Sequence, residues 1–75
     1  YTAGNDTIDI SEFITGEITD PAINNTAQAI AAGYINFDDD IGTGDCTIYY
    51  DSTGSGLLTD ELGTVDVLEA DLTII

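Results

Sequence analysis

The sequence predicts an α+β domain, with one short helix over about residues 20–33 packed on a small antiparallel β-sheet and a β-rich C-terminal half. Three observations lead there. Asp20-Pro21, an alanine-rich apolar stripe and then Gly33 together spell a helix with a start and a stop. Apolar and polar residues alternate on both sides of that helix, which is the strand period. A hydrophobic content of 43% is too high for a disordered acidic tail. The 75 residues make one domain, 1–75, and a chain of this size buries only about 60% of the surface its unfolded form exposes, so its core is thin.

Taken in chain order, Thr7-Ile8-Asp9-Ile10-Ser11 alternates as a half-buried strand should. Gly16 and Glu17-Ile18-Thr19 read as a turn and a short extension. Asp20 then offers its carboxylate to the free N–H groups of a first turn, Pro21 has no N–H to leave unpaired, and Gly33 ends the helix. Within it Ile23, Ala27, Ile30 and Ala31 fall at i, i+4, i+7 and i+8 on one face. Tyr34 to Phe37 resumes an extended pattern before an acidic loop from Asp38 to Asp45. Cys46 to Tyr50 reads as a strand, Asp51 to Gly56 as the loop of a hairpin or of a longer reversal, Leu57-Leu58 as the returning strand and Thr59 to Gly63 as another turn. At the end Leu68, Ala70, Leu72 and Ile74 alternate with Glu69, Asp71 and Thr73, again a strand, while Val65 and Val67 keep the opposite phase and place a β-bulge near Val67-Leu68. A helix through Val65, Leu68, Leu72 and Ile75 is the alternative for that segment.

Eleven Asp and four Glu face no Lys, Arg or His, for a net charge of -15, so no side-chain salt bridge can form within the chain. Nucleic-acid phosphate and anionic membrane surfaces both require Lys or Arg, which excludes them as direct ligands. No apolar run is long enough to span a bilayer, and no basic segment precedes one. A chain that begins at Tyr1 rather than Met reads as a processed product or a fragment, and removal of a leader favours an extracellular or cell-surface location. Catalysis is poorly provided for. Without His or Lys no serine or cysteine has a base, Asp51-Ser52-Thr53-Gly54 carries one residue too many for an aspartic-protease signature, and no Trp offers a sugar platform. The chain does not read as an enzyme.

Asp38, Asp39, Asp40 and Asp45 surround Gly42 and Gly44 in a segment that either wraps oxygen ligands around Ca²⁺ or forms a solvated acidic turn. It is not an EF-hand, because Ile41 stands where the loop needs Gly and Thr47 where it needs Glu. Cys46 cannot close an internal disulfide and reads as a small buried residue, or else as a bond to another chain. Asn5-Asp6-Thr7 and Asn24-Asn25-Thr26 are glycosylation sequons, at a number close to chance, that would place glycans on Asn5 and Asn24 of an exported chain. Tyr49 and Tyr50 face opposite sides of their strand, so one of them is a surface contact. The apolar residues Leu68, Ala70, Leu72 and Ile74 either pair inside the domain or add to a neighbour's sheet edge.

An alanine-rich helix, an extended segment, a polar loop and Cys46-Thr47-Ile48-Tyr49-Tyr50-Asp51 resemble the globular part of type IV pilin-like proteins over about residues 21–51. The chain lacks that family's long apolar N-terminal helix and its second cysteine. The resemblance implies an exported subunit packed into a surface filament, with the helix removed or supplied by a separate chain, and a loop suited to calcium. The function expected from the sequence is therefore a structural subunit of an extracellular filament or surface assembly, a homo-oligomer or filament neighbour held by non-covalent contacts. The alternatives are an acidic inhibitor or nucleic-acid mimic that binds a basic partner protein, and a monomeric calcium-binding adhesive domain.

Overall fold

A computed structural model describes residues 1–40 and 42–75, the side chain of Asp40 excepted. Its first element is one the alternation at Thr7–Ser11 concealed. Ile10, Phe13, Ile14 and Ile18 lie at i, i+3, i+4 and i+8, and helix α1 (Ser11–Glu17) turns them toward the core, with Ile14 only 2% exposed. Asp9 tightens the entry by accepting the Ser11 N–H at 2.9 Å and the Ser11 hydroxyl at 2.6 Å. The expected strand over Thr7–Ser11 is reduced to an isolated bridge at Ile8, and Gly16 lies inside the helix rather than in a turn.

Helix α2 (Thr26–Ala32) starts later than the expected residue 20. Asp20 does accept an N–H, from Ala22 at 2.9 Å, but as part of a turn closed by Ile23 N–H to the Asp20 carbonyl. Asn25 takes the capping role instead. Its Oδ1 accepts the Gln28 N–H at 2.9 Å, while Gln28 Oε1 accepts the Asn24 N–H at 2.6 Å. That reciprocal pair satisfies two donors, which a Pro-led start cannot match. The expected stop is where the structure has it: Gly33 adopts φ +88°, and the Tyr34 N–H returns to the Ala29 carbonyl at 2.9 Å.

Strands β1 (Ile35–Asp40), β2 (Asp45–Tyr50) and β3 (Asp60–Val65) form one antiparallel sheet in the order β1-β2-β3. The acidic run thus continues a strand instead of forming a loop, with Asp38 across from Thr47, Asp39 from Cys46 and Asp40 from Asp45. Strand β3 occupies most of the expected turn at Thr59–Gly63, and Leu57-Leu58 falls in the connection before it. The irregularity expected near Val67-Leu68 lies at Leu62, an extra residue between Glu61, which faces Tyr49, and Gly63, which faces Ile48. The C-terminal strand does not form. A 3-10 turn over Glu69–Asp71 interrupts it, because the segment meets only the short stretch around Ile8: Ile8 N–H bonds the Thr73 carbonyl at 2.8 Å and Ile75 N–H the Ile8 carbonyl at 2.9 Å. Tyr1 adds a clasp, its hydroxyl donating to the Asp71 carbonyl and accepting the Thr73 N–H.

Both helices and these terminal segments cover one face of the sheet, where Ile14, Ile18, Ala29, Ile35 and Ile48 make a small core. The molecule measures 35 × 24 × 16 Å, two layers thick. The other face carries Asn36, Asp38, Thr47, Tyr49, Glu61 and Thr64, with the Thr47 and Thr64 hydroxyls 3.1 Å apart.

With so few apolar side chains buried, the β2–β3 connection is held by a carboxylate. Asp51 is 1% exposed and accepts five hydrogen bonds, from the N–H and hydroxyl of Thr53, the N–H and hydroxyl of Ser55, and the Leu57 N–H. The Asp51 N–H in turn bonds the Tyr34 carbonyl at 2.8 Å, and the Gly56 N–H the Gly33 carbonyl at 3.3 Å. Gly54 lies so close to the Tyr34 ring that a Cβ there would stand 2.9 Å from Cζ.

A Cβ at Gly33 would meet the Gly54 carbonyl oxygen and the Gly56 nitrogen at 2.9 Å, both backbone atoms, on a residue that already needs positive φ. Gly33→Ala is therefore expected to cost more than about 1 kcal/mol in urea unfolding, where an unstrained Gly→Ala change would stabilise. The hydroxyls of Ser55 and then Thr53 hold the Asp51 carboxyl far below the usual range, against a burial that pushes it up. A depressed folded pKa contributes stability above the unfolded value and loses it as pH falls. The gap in melting temperature between the native chain and Asp51→Asn should thus be full above about pH 4 and shrink below it, by circular dichroism. A gap constant from neutral to acid would contradict this role.

Candidate interaction surface

The acidic end of the β1–β2 hairpin brings its carboxylates to opposite faces. Strand alternation sets Asp38 on the open face and Asp39 on the helix-covered face, and Asp45 begins β2 beside the turn. Among the described residues no three His, Cys, Asp or Glu side chains gather closely enough to hold a metal ion; the Asp40 side chain lies outside those residues. Asp39 is half-buried. Its Oδ2 accepts the Glu69 N–H at 3.4 Å, and its Oδ1 is enclosed without a partner. Across from it Cys46 is fully buried. Burial pushes the thiol pKa up, and the charges of Asp39, Glu69 and Asp38 push it the same way.

The two tyrosines divide as alternation requires. Tyr50 packs edge-on against Phe13 with ring centroids 4.7 Å apart and donates its hydroxyl to the Glu17 carbonyl, so it belongs to the interior. Tyr49 stands half-buried on the open face between Asn36 and Glu61. Of the C-terminal apolar residues, Ile74 packs against the core and bridges Ile8, Leu72 joins it in a crevice with Ile30 and Phe37, Leu68 is half-buried, and Ala70 is exposed on the 3-10 turn. Asn5 is exposed in the Thr2–Asp6 turn. Asn24 is exposed too, but Thr26 of the same sequon is 5% exposed, with a hydroxyl that has no partner.

The strongest apolar surface lies elsewhere. Leu57, Leu58 and Leu62 are 60%, 48% and 41% exposed, on the segment that enters and then forms β3. Strand β3 is an edge of the sheet, paired to β2 on one side only among the described residues. Beneath it, on the helix-covered face, an open groove of about 250 Å³ is bounded by Ile8 and Ile10, floored by Ile48 and walled by Leu62, Gly63 and Val65. Gly63 makes the groove, since a Cβ at that position would meet nothing within 4 Å. The cue in the sequence was an isolated Gly between leucine and β-branched residues, a pattern that marks a bulge or a close approach; the reading of 59–63 as a turn hid it.

The buried, raised thiol of Cys46 predicts native-state inertness. Iodoacetamide at mildly alkaline pH should modify it on the order of a hundredfold more slowly in the folded chain than in urea, by mass spectrometry, and equal rates would contradict the burial. No protein-family model, no curated protein and no solved structure matches the chain, so what it does is read from its own residues.

Proposed function

We propose that the chain is a structural subunit of an extracellular or cell-surface assembly, joined to its neighbours by non-covalent contacts at the β3 side of the sheet. The observation that carries this reading is the row of exposed leucines, Leu57, Leu58 and Leu62, beside a free sheet edge. Exposed apolar side chains and an unpaired edge are both costly for an isolated chain and useful to an assembling one. The absence of His, Lys and Arg from the sequence supports a non-catalytic role, and the pilin-like pattern over 21–51 with the exposed Asn5 sequon supports export.

With Asp51 buried, the other fourteen carboxylates share 4478 Å² of surface, about 320 Å² each, a mean spacing of roughly 18 Å against a Debye length of about 8 Å at physiological salt. Repulsion between subunits is then local, and screening by salt or divalent cations favours assembly. Sedimentation and negative-stain microscopy test the reading. Association that rises with concentration is expected, and the Leu57→Ser/Leu58→Ser double variant should lose it while melting within a few degrees of the native chain, because the contacts of Leu57 to Asp51 and Asn36 use backbone atoms only. Monomers alone at high concentration, with and without calcium, would refute it.

A further inference from the structure

The β3 edge has the features of a contact made with a second copy of itself, and this inference rests on the assembly reading above. Leu62 protrudes next to the gap that Gly63 leaves, and the bulge turns both toward the same groove. A knob beside a hole on one strand is self-complementary under a two-fold axis. We propose that two copies pair antiparallel along Asp60–Val65, with Leu62 of each seated over Gly63 of the other, so that the two three-stranded sheets become one of six.

Like charge removes the registers that oppose two acids, and the seat of Leu62 over Gly63 picks this one from those that remain. In that register Asp60 stands across from Val65 of the second copy and Glu61 from Thr64, so no carboxylate faces another. Sliding the strands until their N-terminal ends overlap sets Asp60 against Glu61. Antiparallel pairing of β3 with the full length of the β1 edge of a second copy sets Asp60 and Glu61 against Asp40 and Asp39. Acid against acid across a ladder is destabilising, and this chain has no cation to offset it. The two-fold contact closes on itself, so it yields a dimer as the unit from which any longer assembly is built.

The contact has a salt signature. Two chains of charge -15 repel, and raising the ionic strength from about 0.05 to 1 M shortens the Debye length from over 10 Å to about 3 Å. Dimerisation should strengthen with NaCl, whereas binding of these carboxylates to a basic protein weakens with it. Gly63→Val supplies the decisive variant: the backbone there is not in the positive-φ region, the new side chain enters open space, and it fills the hole that Leu62 of the second copy needs. Analytical ultracentrifugation of the native chain, Gly63→Val and Leu62→Ser at both salt concentrations, with melting temperatures, tests the proposal. The expected result is a dimer that tightens about tenfold or more in high salt and weakens about tenfold or more in both variants, with Gly63→Val melting no lower than the native chain. Association that persists unchanged in both variants overturns the β3 pairing and leaves the assembly reading standing. A dimer that weakens with salt also overturns the pairing, and monomers under every condition overturn both.

Discussion

The fold depends most on how one buried carboxylate is satisfied. In a chain without a single Lys, Arg or His, Asp51 has no side-chain counter-ion, yet it is the most buried polar or charged residue among those described. Backbone N–H groups and two hydroxyls replace the missing cation, and satisfying them fixes the path from Asp51 to Leu57. That path presses Gly54 against Tyr34 and ties Gly56 to Gly33, so the end of α2, the start of β1 and the end of β2 meet at one junction. The course of β3, the groove beneath it and the exposure of the neighbouring leucines all follow from where this loop releases the chain.

Acidity and apolar exposure act together on the surface. Strand alternation and the turn positions spread the carboxylates, and Asp38 and Asp39 point to opposite faces despite being adjacent. In the proposed assembly, the exposed leucines near β3 are the apolar contact, and the acids beside them set which registers are tolerated. Like charge therefore acts here as a specificity device: it disfavours the edge-to-edge registers that set Asp60 or Glu61 against another carboxylate, as full overlap of β3 with the β1 edge of a second copy does.

The α+β class, the small antiparallel sheet, the β2 strand and the stop at Gly33 were legible because each rests on a local rule with a single outcome. Other elements were not. Ile8 and Ile10 fit a strand and Ile10, Ile14 and Ile18 fit a helix, and only the packing of Ile14 into the core decides between them. Asp20-Pro21 is a sound helix start in isolation, but Asn25 and Gln28 cap each other's turn more fully. Asp60, Glu61 and Gly63 are poor strand formers, and β3 exists because β2 offers a ladder that propensity does not see. The alternation from Leu68 to Ile74 was real but lacked a partner strand of matching length. For the interaction surface, Leu57-Leu58 was visible as an apolar pair, whereas its exposure and the hole at Gly63 are consequences of the tertiary path.

Hydrogen–deuterium exchange, followed residue by residue in the isolated chain and in the assembled state, tests the account most directly. Slow exchange is expected at the Thr53, Ser55 and Leu57 amides in both states, since Asp51 holds them. The outward amides of β3 are expected to exchange fast in the isolated chain and slowly in the proposed assembly. Fast exchange at Thr53, Ser55 and Leu57, or β3 amides whose exchange is the same in both states, would contradict it.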